Sequence, residues 1–196
     1  MALGLHLETA PIAPPAAMGL RCVIARSADL TCDLVDDLVA LTNDTMGALY
    51  ARSGRSIGWD VTRQRAEILH PDAGAICLFK EDDLKGYCLL RSYHEEGLNL
   101  FYIQELHLAP DMQRQGIGGA LIRQLARHAS GQGYDRLRLT NLDVNLGAAA
   151  FYRAIGLEPV SGRFGIHQTE FEIDLGQLNP QASAAPLRDD ISTNAG

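Results

Sequence analysis

A short glycine-rich segment is the part of this sequence whose residue types and spacing most directly suggest chemistry. Residues 111–125 read DMQRQGIGGALIRQL, in which Gln113, Gly116 and Gly118 precede an apolar pattern typical of a helix. Glycine has no Cβ, so the backbone can approach a ligand closely, and the N–H groups and dipole at a helix start attract negative charge. The spacing therefore predicts an anion-binding loop that opens a helix.

Two familiar nucleotide-binding patterns do not fit this loop. A Walker A loop ends in Gly-Lys-Ser/Thr, and residues 111–125 contain no lysine. A dinucleotide-binding fingerprint needs GxGxxG directly after a strand, but its third glycine position is Leu121 here, and several residues separate the loop from the preceding strand. Phosphoryl transfer from ATP and dinucleotide binding therefore lose their main support.

The remaining pattern, Q/R-x-x-G-x-G/A after a strand and before a helix, resembles the pyrophosphate loop of the GNAT N-acetyltransferases. In that family the loop holds the diphosphate of acetyl-coenzyme A. Downstream, residues 139–160 (LTNLDVNLGAAAFYRAIGLEPV) resemble the family's closing segment, in which an Asn and small residues precede a Tyr. The resemblance implies the GNAT fold and acetyl-CoA as the acyl donor, with no metal.

The cofactor site follows from this resemblance residue by residue. The backbone of residues 106–108 is expected to pair with the pantetheine arm as an added strand does. Asn145 matches a cofactor-contacting asparagine, although an ordinary helix cap is the alternative. The expected cofactor-binding residues are Leu106, His107, Leu108, Gln113, Arg114, Gln115, Gly116, Ile117, Gly118, Gly119, Ala120 and Asn145.

The implied reaction, attack of an amine on a thioester, needs a base and an acid. Glu105 is the candidate base, because it lies in an otherwise apolar strand, where an ionised side chain is costly unless it faces a cleft. His107 is the second candidate. In a regular strand Glu105 shares a face with Ile103 and His107, unless a bulge, which this family has in its fourth strand, changes the parity. Tyr152 matches the family tyrosine that protonates the leaving thiolate; packing beside its neighbour is the alternative.

The acceptor side is suggested by a second resemblance. Residues 49–67 (LYARSGRSIGWDVTRQRAE) resemble the helix-loop-helix of the N-terminal acetyltransferase D family, which acetylates core-histone amino termini. Residues 101–106 (FYIQEL) resemble that family's Leu-Tyr-Cys-Tyr-Glu-Val strand, with a glutamine in place of the second tyrosine, and the family's basic N-terminal extension is replaced by a short Ala/Pro-rich segment. The expected substrate-binding residues are Tyr50, Trp59, Tyr102, Gln104 and Glu105.

Apolar periodicity predicts the elements that carry these residues. The predicted strands are 22–26, 75–80, 86–94, 98–109, 136–140 and 167–175. The predicted helices are 29–50, with Ser27 or Asp29 as its cap, 60–69, with Asp60 as its cap, 117–131 and 146–155. Their order predicts an α+β domain in which helices flank a mixed, mostly antiparallel sheet.

Composition bounds the remaining possibilities. With 46% hydrophobic and 21% charged residues, the chain fits one domain, expected at residues 21–176, with disordered ends at 1–20 and 177–196. A net charge of −7 argues against general nucleic-acid affinity and suits a basic partner. Four cysteines without a CxxC pair, no signal peptide and no membrane-length apolar run predict a reducing cytoplasmic or nuclear compartment.

The sequence thus predicts an acetyl-CoA-dependent Nα-acetyltransferase that acts on a protein N-terminus or basic peptide, with histone tails as the expected partner. Gln104 keeps open a lysine or small-molecule (polyamine-like) N-acetyltransferase. A coenzyme-A-binding module without turnover is the alternative of another class, favoured if Glu105 and Tyr152 point away from the thioester.

Overall fold

The fold is described by a computed structural model, which covers residues 5, 7, 12, 19–53, 60–160 and 167–178. Within these residues seven strands form one sheet in the order β1-β2-β3-β4-β5-β7-β6. The strands are β1 (Leu20–Arg26), β2 (Gly74–Lys80), β3 (Asp83–Glu95), β4 (Leu98–Leu108), β5 (Arg136–Leu142), β6 (Glu158–Val160) and β7 (Gln168–Asp174). The β4–β5 pair is parallel and the other pairs are antiparallel, so the predicted mixed sheet is confirmed.

Helices cover both faces of this sheet. They are α1 (Cys32–Arg52), α2 (Val61–Ile68), α3 (Ile117–Gly131) and α4 (Leu146–Ala154). On one face α1 and α2 bury Leu38 and Ile68 against β2 and β3. On the other face α3 buries Leu121 and Leu125 against Phe101 and its neighbours, and α4 packs on the same cluster. No helix among the described residues is long and apolar enough to cross a membrane.

The start of α1 differs from the prediction. Ser27–Asp29 forms a 3₁₀ turn, and Leu30 is extended, so neither Ser27 nor Asp29 can cap the helix. Thr31 is the cap instead, and its Oγ1 accepts a hydrogen bond from the Leu34 amide at 3.3 Å. The Ser27 amide donates to the Ala73 carbonyl at 3.0 Å, and this hydrogen bond ties the turn to the segment before β2. The helix therefore begins later in the sequence than predicted.

The cap of α2 is as predicted, because the Asp60 carboxylate accepts from the amides of Thr62 at 2.9 Å and Arg63 at 3.3 Å. The short strand β6 was missed by the sequence prediction. It has three residues, one of which is Pro159, and so carries almost no alternating pattern.

A bulge in β4 decides which side chains face the α1–α2 side of the sheet. Glu105 pairs with Leu89 and Ile103 pairs with Leu90, so Gln104 has no partner residue on β3. An extra residue of this kind reverses the in-and-out alternation. Ile103 packs in the α3 cluster, while Glu105 lies on the α1–α2 side with Leu89. The bulge anticipated from the family resemblance is therefore present, and it removes Ile103 from the face of Glu105, whereas His107 shares that face.

Two residues near the N-terminus pack on the domain. Leu7 and Ile12 are 5% and 8% exposed and belong to the cluster around α3. Most other residues of 1–18 lie outside the described part of the chain, so the predicted disordered ends and the boundaries 21–176 stay predictions.

Candidate active site

A cleft opens where β4 and β5 separate. The two strands pair only from Leu100 to Ile103 on β4. Beyond that point β4 continues to pair with β3, up to Leu108, and β5 continues to pair with β7, up to Leu142. The resulting cleft has a volume of about 390 Å³. Its lining residues are Met46, Tyr50, Asp60, Arg63, Gln64, Glu67, Tyr102, Gln104, Glu105, Leu106, His107, Thr140, Asn141, Leu142, Asn145, Ala148, Tyr152 and Gln168.

Glu105 lies at the wall of this cleft with its side chain only 11% exposed. Three donors from three elements meet at its Oε2 atom: Gln64 Nε2 at 2.6 Å, Tyr87 Oη at 2.5 Å and His107 Nε2 at 3.0 Å. No hydrogen bond from the described residues reaches Oε1. The carboxylate of Glu105, the predicted base, is therefore held in place through one of its two oxygens.

The pKa of Glu105 is set by two opposing effects. Burial raises it, and the hydrogen bonds and charge of His107, with the hydrogen bonds from Tyr87 and Gln64, lower it by more. The net result is a pKa below the ordinary value of 4.5. Glu105 is therefore a buried carboxylate that stays ionised at neutral pH.

His107, the second candidate base, is itself buried, at 7% exposure. Its Nε2 faces Glu105, and its Nδ1 lies 2.8 Å from Thr45 Oγ1 on α1. Its ring centre is 5.0 Å from that of Tyr87. Both ring nitrogens of His107 thus lie within hydrogen-bond distance of protein groups, and its role as a second candidate base stays a prediction.

Tyr152, the predicted acid, projects from α4 into the cleft lining. Its ring centre lies 5.3 Å from that of Phe151 and 5.5 Å from that of Phe171, so the ring is also a packing group. Burial, with a smaller contribution from Cys88, raises the pKa of Tyr152 to about 12. The hydroxyl therefore keeps its proton at any physiological pH. Both sequence interpretations of this residue are compatible with its position.

The glycine loop lies at the start of α3, as predicted. Gly116 caps the helix with φ +80°, a left-handed conformation that glycine adopts without strain, and nothing lies within 4 Å of the place of a Cβ. Gln113 Nε2 donates to the Leu108 carbonyl at 2.9 Å, which ties the loop to the end of β4. An open backbone turn at a helix N-terminus fits a diphosphate group, but the binding roles of residues 113–120 stay predictions.

Gly118 and Gly119 lie where α3 packs near α4. A Cβ on Gly118 would lie 3.4 Å from Phe151 Cζ on α4, which is an ordinary contact, and one on Gly119 would lie 3.2 Å from Arg123 Nη1, the end of a flexible side chain. A single methyl group at Gly118 is thus accommodated. A bulky replacement of Gly118, by contrast, would disturb helix packing as well as any ligand.

The last of the expected cofactor-binding residues, Asn145, caps α4. Its Oδ1 accepts from the Ala148 amide at 3.2 Å, and it also lines the cleft. The helix-cap interpretation is therefore confirmed, and a cofactor contact stays a prediction. Leu106 and His107 line the cleft as expected of the strand that would bind the pantetheine arm.

The expected acceptor-binding residues Tyr50, Tyr102 and Gln104 all line the same cleft as Glu105. The Tyr102 hydroxyl is hydrogen-bonded to Thr140 Oγ1 on β5, and burial raises the pKa of Tyr102 to about 12. Trp59 lies outside the described residues. The structure thus brings the predicted base, the predicted acid and three of the expected acceptor-binding residues to one cavity.

Several residues of the site were not found by sequence reasoning. Gln64 on α2 and Tyr87 on β3 hold Glu105, and Thr45 holds His107. Thr45 occupies a place in the apolar stripe of α1, where a hydroxyl among leucines is a signal of a buried polar partner. Nothing in the sequence pairs that hydroxyl with β4, because the contact spans 62 positions.

Comparison with known proteins was made by sequence and by fold. The cow (Bos taurus) thialysine N-epsilon-acetyltransferase is 34% identical over 77 residues, which is 39% of this chain and 45% of that protein. The pig (Sus scrofa) protein of the same name is 32% identical over 76 residues, 39% of this chain and 44% of that protein. The chain thus spans less than half the length of these curated relatives.

Solved structures share the fold at low identity. An acyl-CoA N-acyltransferase from Pseudomonas aeruginosa has a TM-score of 0.60 at 17% identity, over 78% of this chain and 98% of that chain. Arabidopsis thaliana NAA60, in complex with a bisubstrate analogue, has a TM-score of 0.58 at 14% identity, over 79% and 98%. These likenesses confirm the predicted GNAT fold.

The family model described as Acetyltransferase (GNAT) family matches residues 35–157, which include α1, the glycine loop, Glu105 and Tyr152. The match covers more than half of the chain and agrees with the sheet order and the split between β4 and β5. The chain belongs to the acetyltransferase (GNAT) family, a family of acetyl-CoA-dependent N-acetyltransferases.

Proposed function

We propose that this protein transfers an acetyl group from acetyl-CoA to the free N-terminal amine of a protein, with core-histone N-termini as the expected substrates. The observation that carries the proposal is the placing of Glu105 and Tyr152 in one cleft at the β4–β5 split. A base and an acid that line the same cavity suit a reaction in which one amine loses a proton and one thiolate gains it. A module without turnover has no need of this arrangement.

The donor site is assigned to the loop before α3 and the free edge of β4. The open turn at Gly116, with the amides at the start of α3, would hold the diphosphate, and residues 106–108 would pair with the pantetheine arm. Acetyl-CoA supplies the acyl group in activated form as a thioester. The residues present fit that donor, since this edge of β4 is not paired with β5 beyond Ile103.

Glu105 provides the proton acceptor for the amine. Its Oε1 atom carries no hydrogen bond from the described residues, while Oε2 is fixed by three donors, so the carboxylate can orient an N–H group and take its proton as the new amide forms. An α-amine, with a pKa near ~8, is a more suitable acceptor for such a weak base than a lysine amine near ~10.4. This difference favours N-terminal over lysine acetylation.

Tyr152 provides the proton for the leaving thiolate. Its pKa of about 12 keeps the hydroxyl protonated until the thiolate forms. The ring contacts with Phe151 and Phe171 hold the hydroxyl in one place relative to the sheet. The side chain thus has both a fixed position and an available proton.

The choice of a basic peptide rests on the acceptor end of the cleft and on charge. Tyr50, Tyr102 and Gln104 line that end and offer aromatic and amide contacts to a peptide backbone. The chain has a net charge of −7, which attracts cationic tails. Four free thiols fit a reducing compartment, so we place the enzyme in the cytoplasm or nucleus.

A small-molecule amine is the second candidate acceptor. The relatives matched by sequence are named thialysine N-epsilon-acetyltransferases, and the glutamine at position 104 replaces a peptide-binding tyrosine of the histone-directed family. The cleft volume of about 390 Å³ also accommodates an amino acid or a short polyamine.

An acceptor panel separates these candidates. Acetyl-CoA is offered with a Ser-Gly-Arg-Gly peptide, its α-blocked lysine-containing counterpart, thialysine and spermidine, and products are identified by mass spectrometry. We expect acetylation of the free α-amine peptide and not of the α-blocked one. Reaction of only the blocked lysine peptide, or only of thialysine or spermidine, contradicts the Nα assignment. Binding of coenzyme A with no product from any acceptor identifies a module without turnover.

A further inference from the structure

A chain of three polar side chains runs from the cleft into α1. Glu105 Oε2 lies 3.0 Å from His107 Nε2, and His107 Nδ1 lies 2.8 Å from Thr45 Oγ1. The side chains of Glu105 and His107 are 11% and 7% exposed, so water competes little for these contacts. The number of hydrogens that these contacts require determines the charges of His107 and Glu105.

Thr45 fixes the first hydrogen. Its hydroxyl donates to the Leu41 carbonyl at 2.8 Å, with a longer contact of 3.3 Å to the Thr42 carbonyl. A hydroxyl has one hydrogen, so the contact with His107 must be made by a hydrogen on Nδ1, which Thr45 Oγ1 accepts. His107 therefore carries a hydrogen on Nδ1.

The contact between His107 Nε2 and Glu105 Oε2 requires a second hydrogen, because two lone pairs at 3.0 Å repel each other. That hydrogen does not belong on Oε2, which already accepts from Gln64 Nε2 and Tyr87 Oη. A carboxylate oxygen that accepts two further donors is ionised rather than protonated. The hydrogen therefore lies on Nε2.

We propose that His107 is a positioning residue that works as an imidazolium, clamped between Thr45 and Glu105, and that it holds the Glu105 carboxylate ionised and aimed at the acceptor amine. The proposal rests on the proposed function, because it assigns the state in which the base of that reaction operates. No proton leaves His107 during turnover: it donates Nε2–H to Oε2 throughout. Without that Nε2–H donor, Glu105 would lose its fixed orientation.

The surroundings of His107 and Glu105 contribute few other charges. From β3, Tyr87 is a neutral phenol whose pKa is raised by burial and by Glu105. From α1 come Thr42 and Thr45, and from α2 comes Gln64, all uncharged. Three further charged residues, Asp60, Arg63 and Glu67, line the same cleft, and Glu67 pairs with Arg91 of β3 at 2.9 Å. The imidazolium of His107 is thus balanced by Glu105 itself.

The first test is the effect on kcat of replacing His107. His107→Leu, which removes the donor beside Glu105, should lower kcat by roughly 10- to 100-fold, as for loss of a hydrogen bond to a charged group. His107→Gln keeps a hydrogen-bond donor beside Glu105, so it should recover part of that loss, with the KM for acetyl-CoA close to the wild-type value. A wild-type kcat in His107→Leu, or a His107→Gln protein no more active than His107→Leu, overturns the proposal.

Two further variants guard against trivial results. His94→Gln is the matched control, because His94 is exposed on β3 and bonded to Asn99 outside the cleft; it should keep the wild-type kcat. A loss of kcat in His94→Gln as large as that in His107→Leu overturns the assignment to His107. Thr45→Val removes the acceptor of Nδ1–H and weakens the clamp, so it should lower kcat several-fold. An unchanged kcat in Thr45→Val contradicts the clamp.

The second test does not depend on an acceptor. In protein labelled with ¹⁵N-histidine, the His107 ring signals are identified as those absent from His107→Gln, or by their displacement in Thr45→Val. Both ring nitrogens are expected to be protonated at pH 7, and a neutral ring with a bare Nε2 overturns the proposal. Because this measurement needs no substrate, it decides the charge of His107 even if every acceptor in the panel fails, which would instead contradict the proposed function.

Discussion

Glu105 is stabilised by three partners, two of which, Gln64 and Tyr87, lie 41 and 18 positions away in the sequence. The carboxylate would be costly to bury alone, and it is stabilised by Gln64 of α2, Tyr87 of β3 and His107 of β4 at a single oxygen. Glu105 could be singled out as a candidate base, because an acidic residue in an apolar strand is rare. Gln64 and Tyr87 could not be predicted as its partners, because an ordinary Gln and an ordinary strand Tyr carry no local signal of a shared carboxylate.

At the same scale, Tyr152 offers a direct test of the acid. Tyr152→Phe keeps the ring contacts with Phe151 and Phe171 but removes the hydroxyl. We expect kcat to fall by about 10²-fold, as is typical for loss of a general acid, with the melting temperature nearly unchanged. Steady-state kinetics and thermal unfolding check this, and an unaltered kcat would show that the residue only packs.

The pH profile tests the high pKa of Tyr152. Because burial raises the pKa of Tyr152 to about 12, loss of the proton from its hydroxyl cannot reduce activity below about pH 11. An alkaline loss at lower pH should therefore persist in the residual activity of Tyr152→Phe. Its absence there would assign the titration to Tyr152 and contradict the high pKa.

Among the elements, β4 is the one that makes the site, and it does so through irregularity. The bulge at Gln104 brings Glu105 and His107 to the α1–α2 face, and the parting from β5 after Ile103 opens the cleft. Periodicity located this strand but left open whether Ile103 shares a face with Glu105. A bulge depends on pairing with β3, which an alternating pattern in one strand does not record.

At the scale of secondary-structure elements, a testable prediction concerns Gly118 at the start of α3. Gly118→Ala would place a Cβ 3.4 Å from Phe151 Cζ, an ordinary contact, while alanine favours the helix by roughly 0.5–1 kcal/mol. The melting temperature should therefore change little. If the donor approaches this backbone as proposed, the KM for acetyl-CoA should rise several-fold, as measured by steady-state kinetics.

The matched control for that change is Gly131→Ala, at the other end of α3, where nothing lies within 4 Å of the new Cβ. It should leave the KM for acetyl-CoA as in the wild type. Equal KM values for Gly118→Ala and the wild type would argue that the glycine serves only the packing of α3 on α4.

At the scale of the whole molecule, the sheet, the helices and the family followed from the sequence, since the glycine loop and the strand spacing are local patterns. The acceptor does not follow in the same way. Trp59 and residues 54–58 lie outside the described part of the chain, and Tyr50, Tyr102 and Gln104 suit more than one amine. Substrate choice depends on the shape of a cleft to which α1, α2, β4 and β5 all contribute, and no single segment encodes that shape.

The most direct test of the account compares the wild type with Glu105→Gln. The amide keeps the size of the side chain but cannot accept a proton, so turnover of the free α-amine Ser-Gly-Arg-Gly peptide should fall by at least about 10²-fold. Calorimetric affinity for acetyl-CoA should stay within roughly twofold, because the donor loop lies at α3. A Glu105→Gln protein that binds acetyl-CoA and acetylates the peptide at the wild-type rate would contradict the account.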